Sequence, residues 1–322
     1  MRLAFASMAF LLSLAAVFSC LRTVNVFEHV ADDVVVIRMD DIQDYAFHDA
    51  EIRLLNHSIN RGYPLSLGVM AKDFGLDVEL VDAVRAAVRT GSEVAAHGWV
   101  HEDLAQLTVS EQEIQFLRAR NRLWNTLEVS PLVLIPPMYS YSNDTLLAMR
   151  QAGYEIVSGY IGLNEGGIDA EGIVSVPATV EFSELSGDNW TMKSFDDVMA
   201  EFNLSIESNG YAVIVTHPEE FLQNGTLNEN AFERYYGIID SISSRFELTT
   251  LEGLKPRVLL ANSAAPDSEF PGMTTSTYLG IRPLAFEMIA PARFGRYSDW
   301  EETSPARAIS FSVLFHSCFC SC

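Results

Sequence analysis

From Asp33 to about Leu254, short runs of β-branched and apolar residues alternate with amphipathic stretches. The strand-like runs are Val34–Met39, Leu65–Met70, Glu93–Ala96, Leu132–Ile135, Glu155–Ser158, Ile173–Val176, Ala212–Thr216 and Phe246–Thr249. Between them Phe47–Asn60, Val78–Arg89, Ser110–Leu127, Asn143–Ala152, Ser194–Glu207 and Asn230–Ser244 have helical spacing. Strands joined through helices run parallel, so this order predicts an α/β fold, either a closed barrel or an open doubly wound sheet. The strands are nearly unbroken apolar runs, as expected where both faces of a sheet are covered. Ser110 with Glu113 reads as a capping box and Asn143-Asp144 as a second helix start. After Lys255-Pro256 the periodicity dissolves, and residues 255–322 are expected to be an irregular tail behind a catalytic domain spanning 32–254.

Charge narrows the partners. With 21 Lys+Arg against 43 Asp+Glu, the formal net charge is −22, which repels phosphate backbones and argues against nucleic acid. Met1-Arg2 followed by the apolar run Leu3–Phe18 and Ser19 has the layout of a signal peptide over residues 1–20, so a secreted or extracellular protein is expected. Val17-Phe18-Ser19-Cys20 loosely resembles a lipobox, which would make Cys20 a lipid anchor at the cell surface. Sequons at Asn56, Asn143, Asn189, Asn203 and Asn224 are compatible with export. Apart from Cys20 the only cysteines are Cys318, Cys320 and Cys322, so the folded body holds no disulfide framework.

Three short segments carry the chemistry, each at the C-terminal end of a strand-like run, where barrel active sites collect. Asp40-Asp41 ends the first run. Two carboxylates held close suit one metal ligand beside one general base, although such a pair can also cap a helix. His97 and His101 follow Val94-Ala95-Ala96 at a spacing that puts two imidazoles on one side of a helical turn, with Glu102-Asp103 placed to orient the rings. His217 ends Val213–Thr216 and could give a proton to a leaving amine, or simply satisfy a loop carbonyl. One carboxylate and two imidazoles form a usual ligand set for Zn2+, and Co2+, Ni2+ or Mn2+ would also fit. Pro136-Pro137 stiffens a turn before Tyr139 and Tyr141, and Trp99, Pro137 and Tyr139 are the candidate substrate-contacting residues. His29, His48, His57 and His316 read as surface residues.

In order and spacing these segments resemble the polysaccharide deacetylase family, the NodB-homology carbohydrate esterases, across roughly Val34 to Leu254. Arg38-Met39-Asp40-Asp41-Ile42 matches the family's Thr-Phe-Asp-Asp-Gly, His97 and His101 its His-x-x-x-His, and Val215-Thr216-His217 its Leu-x-His. Pro136-Pro137 and Tyr139 partly match its Arg-Pro-Pro-Tyr run. Asp40–Asp44, His97–Asp103 and His217–Phe221 look most like an archaeal-type subgroup. The resemblance implies a distorted (β/α) barrel of about seven parallel strands. It also implies Asp41, His97 and His101 as metal ligands, Asp40 as base, His217 as acid, and a backbone N–H near Tyr139 as an oxyanion donor.

Two departures stand out. Ile135 occupies the position of the motif arginine that orients the aspartate, for which Arg38 or Asn143 could substitute. No clean counterpart exists for the Asp-x-x-Asp-Trp motif that tunes the acid; Asp188-Asn189-Trp190, Glu181 and Glu219 are the candidates. The implied activity is removal of N-acetyl groups from an extracellular N-acetylated glycan. The alternatives are hydrolysis of another linear C–N amide bond, or a non-catalytic carbohydrate-binding protein on the same barrel.

Overall fold

The computed structural model describes residues 33–160, 167–168, 172–186 and 189–264. Residues 1–20, expected to be a signal peptide, Cys20 and the cysteine-bearing C-terminus lie outside the described residues, as do His29 and His316. Among the described residues no helix is long and apolar enough to cross a membrane.

The chain begins with β1 (Val34–Ile42), then α1 (His48–Arg61), β2 (Ser66–Val69), α2 (Val78–Arg89), β3 (Glu93–Ala96), α3 (Val109–Leu127), β4 (Val133–Leu134), α4 (Asn143–Ala152) and β5 (Ile156–Val157). It continues through β6 (Gly167–Ile168), β7 (Val174–Ser175), β8 (Val180–Glu181) and the hairpin β9 (Ser183–Ser186) with β10 (Asn189–Met192). After α5 (Phe195–Asn209) come β11 (Tyr211–Thr216), the small hairpin β12 (Leu222–Gln223) with β13 (Thr226–Leu227), α6 (Glu229–Ser243), β14 (Glu247–Thr249) and α7 (Leu251–Ala264). The main sheet runs β6-β7-β5-β4-β3-β2-β1-β11-β8, with β14 beside the start of β1. Within it only β6 is antiparallel to its neighbour. The sheet curls into a half-barrel, the expected (β/α) class. One extended segment links its two ends: Val174 and Val176 donate to Glu155 and Val157 beside β5, while Thr179 and Phe182 donate to Val213 and Val215 of β11.

The period of two in β1 sorts the core. Val34 and Val36 join Ala95, Val133, Ile156 and Val213 in an inner cluster, while Val35, Ile37 and Met39 pack with the surrounding helices.

Four details differ from the sequence expectations. α7 runs through Pro256, although a proline inside a helix costs about 3 kcal/mol. Leu251, Leu254 and Val258 recur at helical spacing and bury into the inner cluster. Glu93 caps the helix, taking the Leu251 and Glu252 N–H groups at 2.8 and 3.0 Å. Together these override the proline. α3 is capped by Thr108 with Glu111, not Ser110 with Glu113: Glu111 Oε2 accepts the Thr108 N–H at 2.9 Å. At α4 the cap is Ser142, whose N–H donates to Thr145 Oγ1 at 3.0 Å, leaving Asn143 inside the helix. His57 is largely buried rather than on the surface, stacked on Tyr236 at 3.8 Å between ring centroids.

Candidate metal and hydrolytic site

β1 carries three charged residues beyond its apolar part. Arg38 and Asp40 continue the inward set of Val34 and Val36, and both are buried. Asp41 should then point outwards. It does not, because its φ is +61° and the register against β2 shifts between Met39 and Ile42. Aspartate tolerates the left-handed region better than most residues. The strand therefore does not end at Met39, as its sequence suggested; a bulge inside it turns Asp41 towards the histidines.

Asp41 Oδ1 lies 3.0 Å from His97 Nε2 and 3.6 Å from His101 Nε2, and the three ligand atoms lie within 4.8 Å of one another. The two histidines meet across a bend, not a helical turn. Gly98 makes that bend at φ +75°, where a Cβ would stand 2.8 Å from Val100 O and 3.2 Å from Pro137 Cγ. Glu102 and Asp103 do not orient the rings. Glu102 accepts from Gln115, and Asp103 accepts from Ala105 N–H and Ser140 Oγ. The orienting group is Ile135 O, 2.9 Å from His97 Nδ1. A carbonyl only accepts, so Nδ1 carries a proton and Nε2 is aimed at Asp41. Asp41 Oδ1 is buried with no hydrogen-bond partner. One carboxylate oxygen and two imidazole nitrogens within 4.8 Å of one another are a donor set that fits a cation. Burial raises the Asp41 pKa, but His97 and His101 outweigh it and hold the carboxyl well below the usual range.

Asp40 accepts from Arg38 Nε at 3.0 Å and Arg38 Nη2 at 2.7 Å. Its space depends on Gly68 in β2, where a Cβ would lie 2.9 Å from Asp40 Oδ1 and 3.2 Å from Ile135 Cδ1. Gly68 is invisible in sequence because nothing nearby in the chain marks it.

His217 follows β11. Its partner is Glu220, not the carboxylates expected: Glu220 Oε1 lies 2.9 Å from His217 Nδ1, and Glu220 Oε2 accepts from Thr216 Oγ1 at 3.1 Å. Burial lowers the His217 pKa, but the bond to Glu220 and its charge, with Asp41 and Asp40 further off, raise it to about 9. Trp190 stacks on the ring at 4.8 Å between centroids and donates Nε1–H to Glu219 at 3.1 Å. Glu181 instead accepts from the Tyr139 hydroxyl at 3.1 Å, and Asp188 lies outside the described residues.

The Tyr139 N–H donates to Pro136 O at 3.0 Å. The Tyr139 ring lies against the Arg38 guanidinium, Pro137 is buried beside Gly98, and Trp99 packs partly buried against the outer core.

Known proteins resemble this chain at two levels. The sequence model of the polysaccharide deacetylase family matches residues 49–157. Among curated proteins no sequence match is found. In structure the chain is similar to a protein from Mycobacterium smegmatis provisionally named a polysaccharide deacetylase, at 15% identity and TM-score 0.55, covering 76% of this chain and 96% of that one. It also matches a family 4 acetyl xylan esterase from Clostridium thermocellum in complex with cobalt, at 14% identity and TM-score 0.48, covering 69% and 90%. A CE4 family pseudoenzyme from Bacillus anthracis matches at 12% identity and TM-score 0.49, covering 70% and 66%. The first of these establishes the shared fold.

Proposed function

We propose that this chain is a metal-dependent hydrolase that removes N-acetyl groups from an extracellular glycan, as an archaeal-type member of the polysaccharide deacetylases. The observation that carries the reading is the convergence of Asp41 Oδ1, His97 Nε2 and His101 Nε2 within 4.8 Å of one another, with Asp41 Oδ1 buried and lacking a hydrogen-bond partner. Asp41, His97 and His101 would hold a divalent cation, most simply Zn2+, with Co2+, Ni2+ and Mn2+ as other occupants. When bound, the cation supplies Lewis acidity towards a carbonyl oxygen and acidifies water.

The remaining steps belong to the chain. Asp40 takes a proton from the attacking water as the new C–O bond forms at the acetamide carbon. His217, charged by its pairing with Glu220, gives its proton to the nitrogen as the C–N bond breaks, so that a free amine and acetate leave. Stacking by Trp190 holds the imidazole plane during that transfer.

The match of residues 49–157 supports deacetylation over other amide hydrolysis. The signal-peptide layout of residues 1–20 supports secretion, with Cys20 as a lipid attachment point.

The test is acetate release from N-acetylglucosamine oligomers and cell-wall glycans by Zn2+-loaded protein. Release should be lost in Asp40→Asn and His217→Ala while bound metal is unchanged. No release from any of these substrates would favour a carbohydrate-binding protein instead.

A further inference from the structure

We propose that Arg38 is the residue that positions the catalytic base, a guanidinium built into the wall of the barrel solely to fix the Asp40 carboxylate; the inference rests on the deacetylase reading above.

Arg38 stands two residues before Asp40 on the inward face of β1, and its side chain is wholly buried. The layers beneath it are apolar, formed by Val34 and Val36 with Val213 and Val215. A guanidinium there costs several kcal/mol to desolvate, and hydrophobic replacement of a buried ion pair is often neutral or stabilising. Stability alone therefore does not account for it. Its contacts describe a clamp: Nε and Nη2 each take one Asp40 oxygen, the two-pronged geometry that fixes a carboxylate's rotation. Lysine, a point charge on a flexible stem, cannot reproduce it.

The clamp is itself held from the far wall. Nη1 donates to Ser158 O and Ser158 Oγ, both at 2.9 Å. The Ser158 hydroxyl donates to Val176 O at 2.7 Å, so its oxygen is left as a fixed acceptor for Arg38. On one side the Tyr139 ring covers the guanidinium at 5.3 Å, tethered in turn to Glu181. Among the described residues no other basic side chain forms an ion pair with Asp40. Base, clamp and anchor thus cross the barrel from β1 to the segment after β5.

The experiment compares wild type, Arg38→Lys, Arg38→Ala, Asp40→Asn, and Arg38→Ala combined with Asp40→Asn, all Zn2+-loaded. It reads kcat and KM for acetate release alongside bound zinc and the thermal midpoint. Arg38→Lys should keep its zinc and its KM within about twofold while kcat falls roughly 10- to 100-fold, as misplacement of a reacting group by an ångström does. Guanidinium added to Arg38→Ala should restore part of kcat, which a purely structural role would not allow. The double variant, which removes both charges and so folds without an unpaired buried ion, should be no slower than Asp40→Asn alone. An active wild type whose Arg38→Lys variant keeps its kcat, or a double variant slower by the product of the single losses, overturns the role of Arg38 alone. A wild type that releases no acetate overturns the deacetylase reading and this role with it.

Discussion

Glu220 Oε1 accepts the His217 backbone N–H at 3.1 Å and stands 2.9 Å from Nδ1 of the same residue. The short helix Pro218–Phe221 brings the two together, with proline at its first position, where no N–H is required. One carboxylate therefore fixes both the backbone and the ring of the proposed acid.

This pairing predicts the alkaline limb of activity. The imidazole's ordinary pKa is 6.5; burial lowers it, but Glu220, with help from Asp41 and Asp40, raises it to about 9. A raised base keeps its proton below the folded pKa and loses it as pH rises through that value. A cation at Asp41 cancels part of the field, so the limb should fall between 6.5 and 9. Glu220→Gln should move it towards acid by about one unit or more and lower kcat at pH 8 about tenfold, read from a pH–rate profile.

Gly68→Ala tests the space around the base. The added Cβ would lie 2.9 Å from Asp40 Oδ1, so the carboxylate must shift. Zinc content should hold while kcat drops at least about tenfold, since small displacements of reacting groups are costly. Unchanged turnover would mean that Asp40 is not the base.

Glu51 predicts a stability gain. It is buried, accepts the Gln43 N–H at 2.9 Å, and its Oε2 has no partner. Burial, with Asp44, Asp77 and Asp41 near, raises its pKa to about 9. Between 4.5 and 9 the folded protein holds a proton that the unfolded chain has released, so stability falls as pH rises across that window. Glu51→Gln should raise stability at pH 7 by roughly 2 kcal/mol and flatten the pH slope of the urea midpoint.

Glu93→Ala addresses the barrel's lower end. Two α7 N–H groups lose their acceptor, which should cost about 1–2 kcal/mol in denaturant unfolding. Acetate release at low temperature should survive.

Much of this was legible in the sequence wherever one local rule decides the outcome. Val34–Met39, Glu93–Ala96 and Val213–Thr216 announce strands by composition, and the histidines after them fall at strand ends. What escaped depends on three-dimensional context. Asp41 reaches the histidines through a bulge that no residue pattern signals. Gly68 matters only because Asp40 sits on the neighbouring strand. Ile135 contributes its backbone carbonyl to His97, so its apolar side chain hides its part. Glu220 was within reach, since a carboxylate three residues after His217 is the spacing of a reciprocal helix cap. Pro256 suggested an end where Leu251, Leu254 and Val258, buried against the barrel, continue the helix.

The most direct test of the central claim is metal content measured together with turnover. Protein freed of metal by a chelator and then titrated with Zn2+ should take up about one equivalent, rise in thermal midpoint as a ligand of the native state requires, and gain acetate release in step. Asp41→Asn, His97→Ala and His101→Ala should each lose all three responses together. Stoichiometric zinc in the His97→Ala protein, or acetate release indifferent to the chelator, would contradict the account.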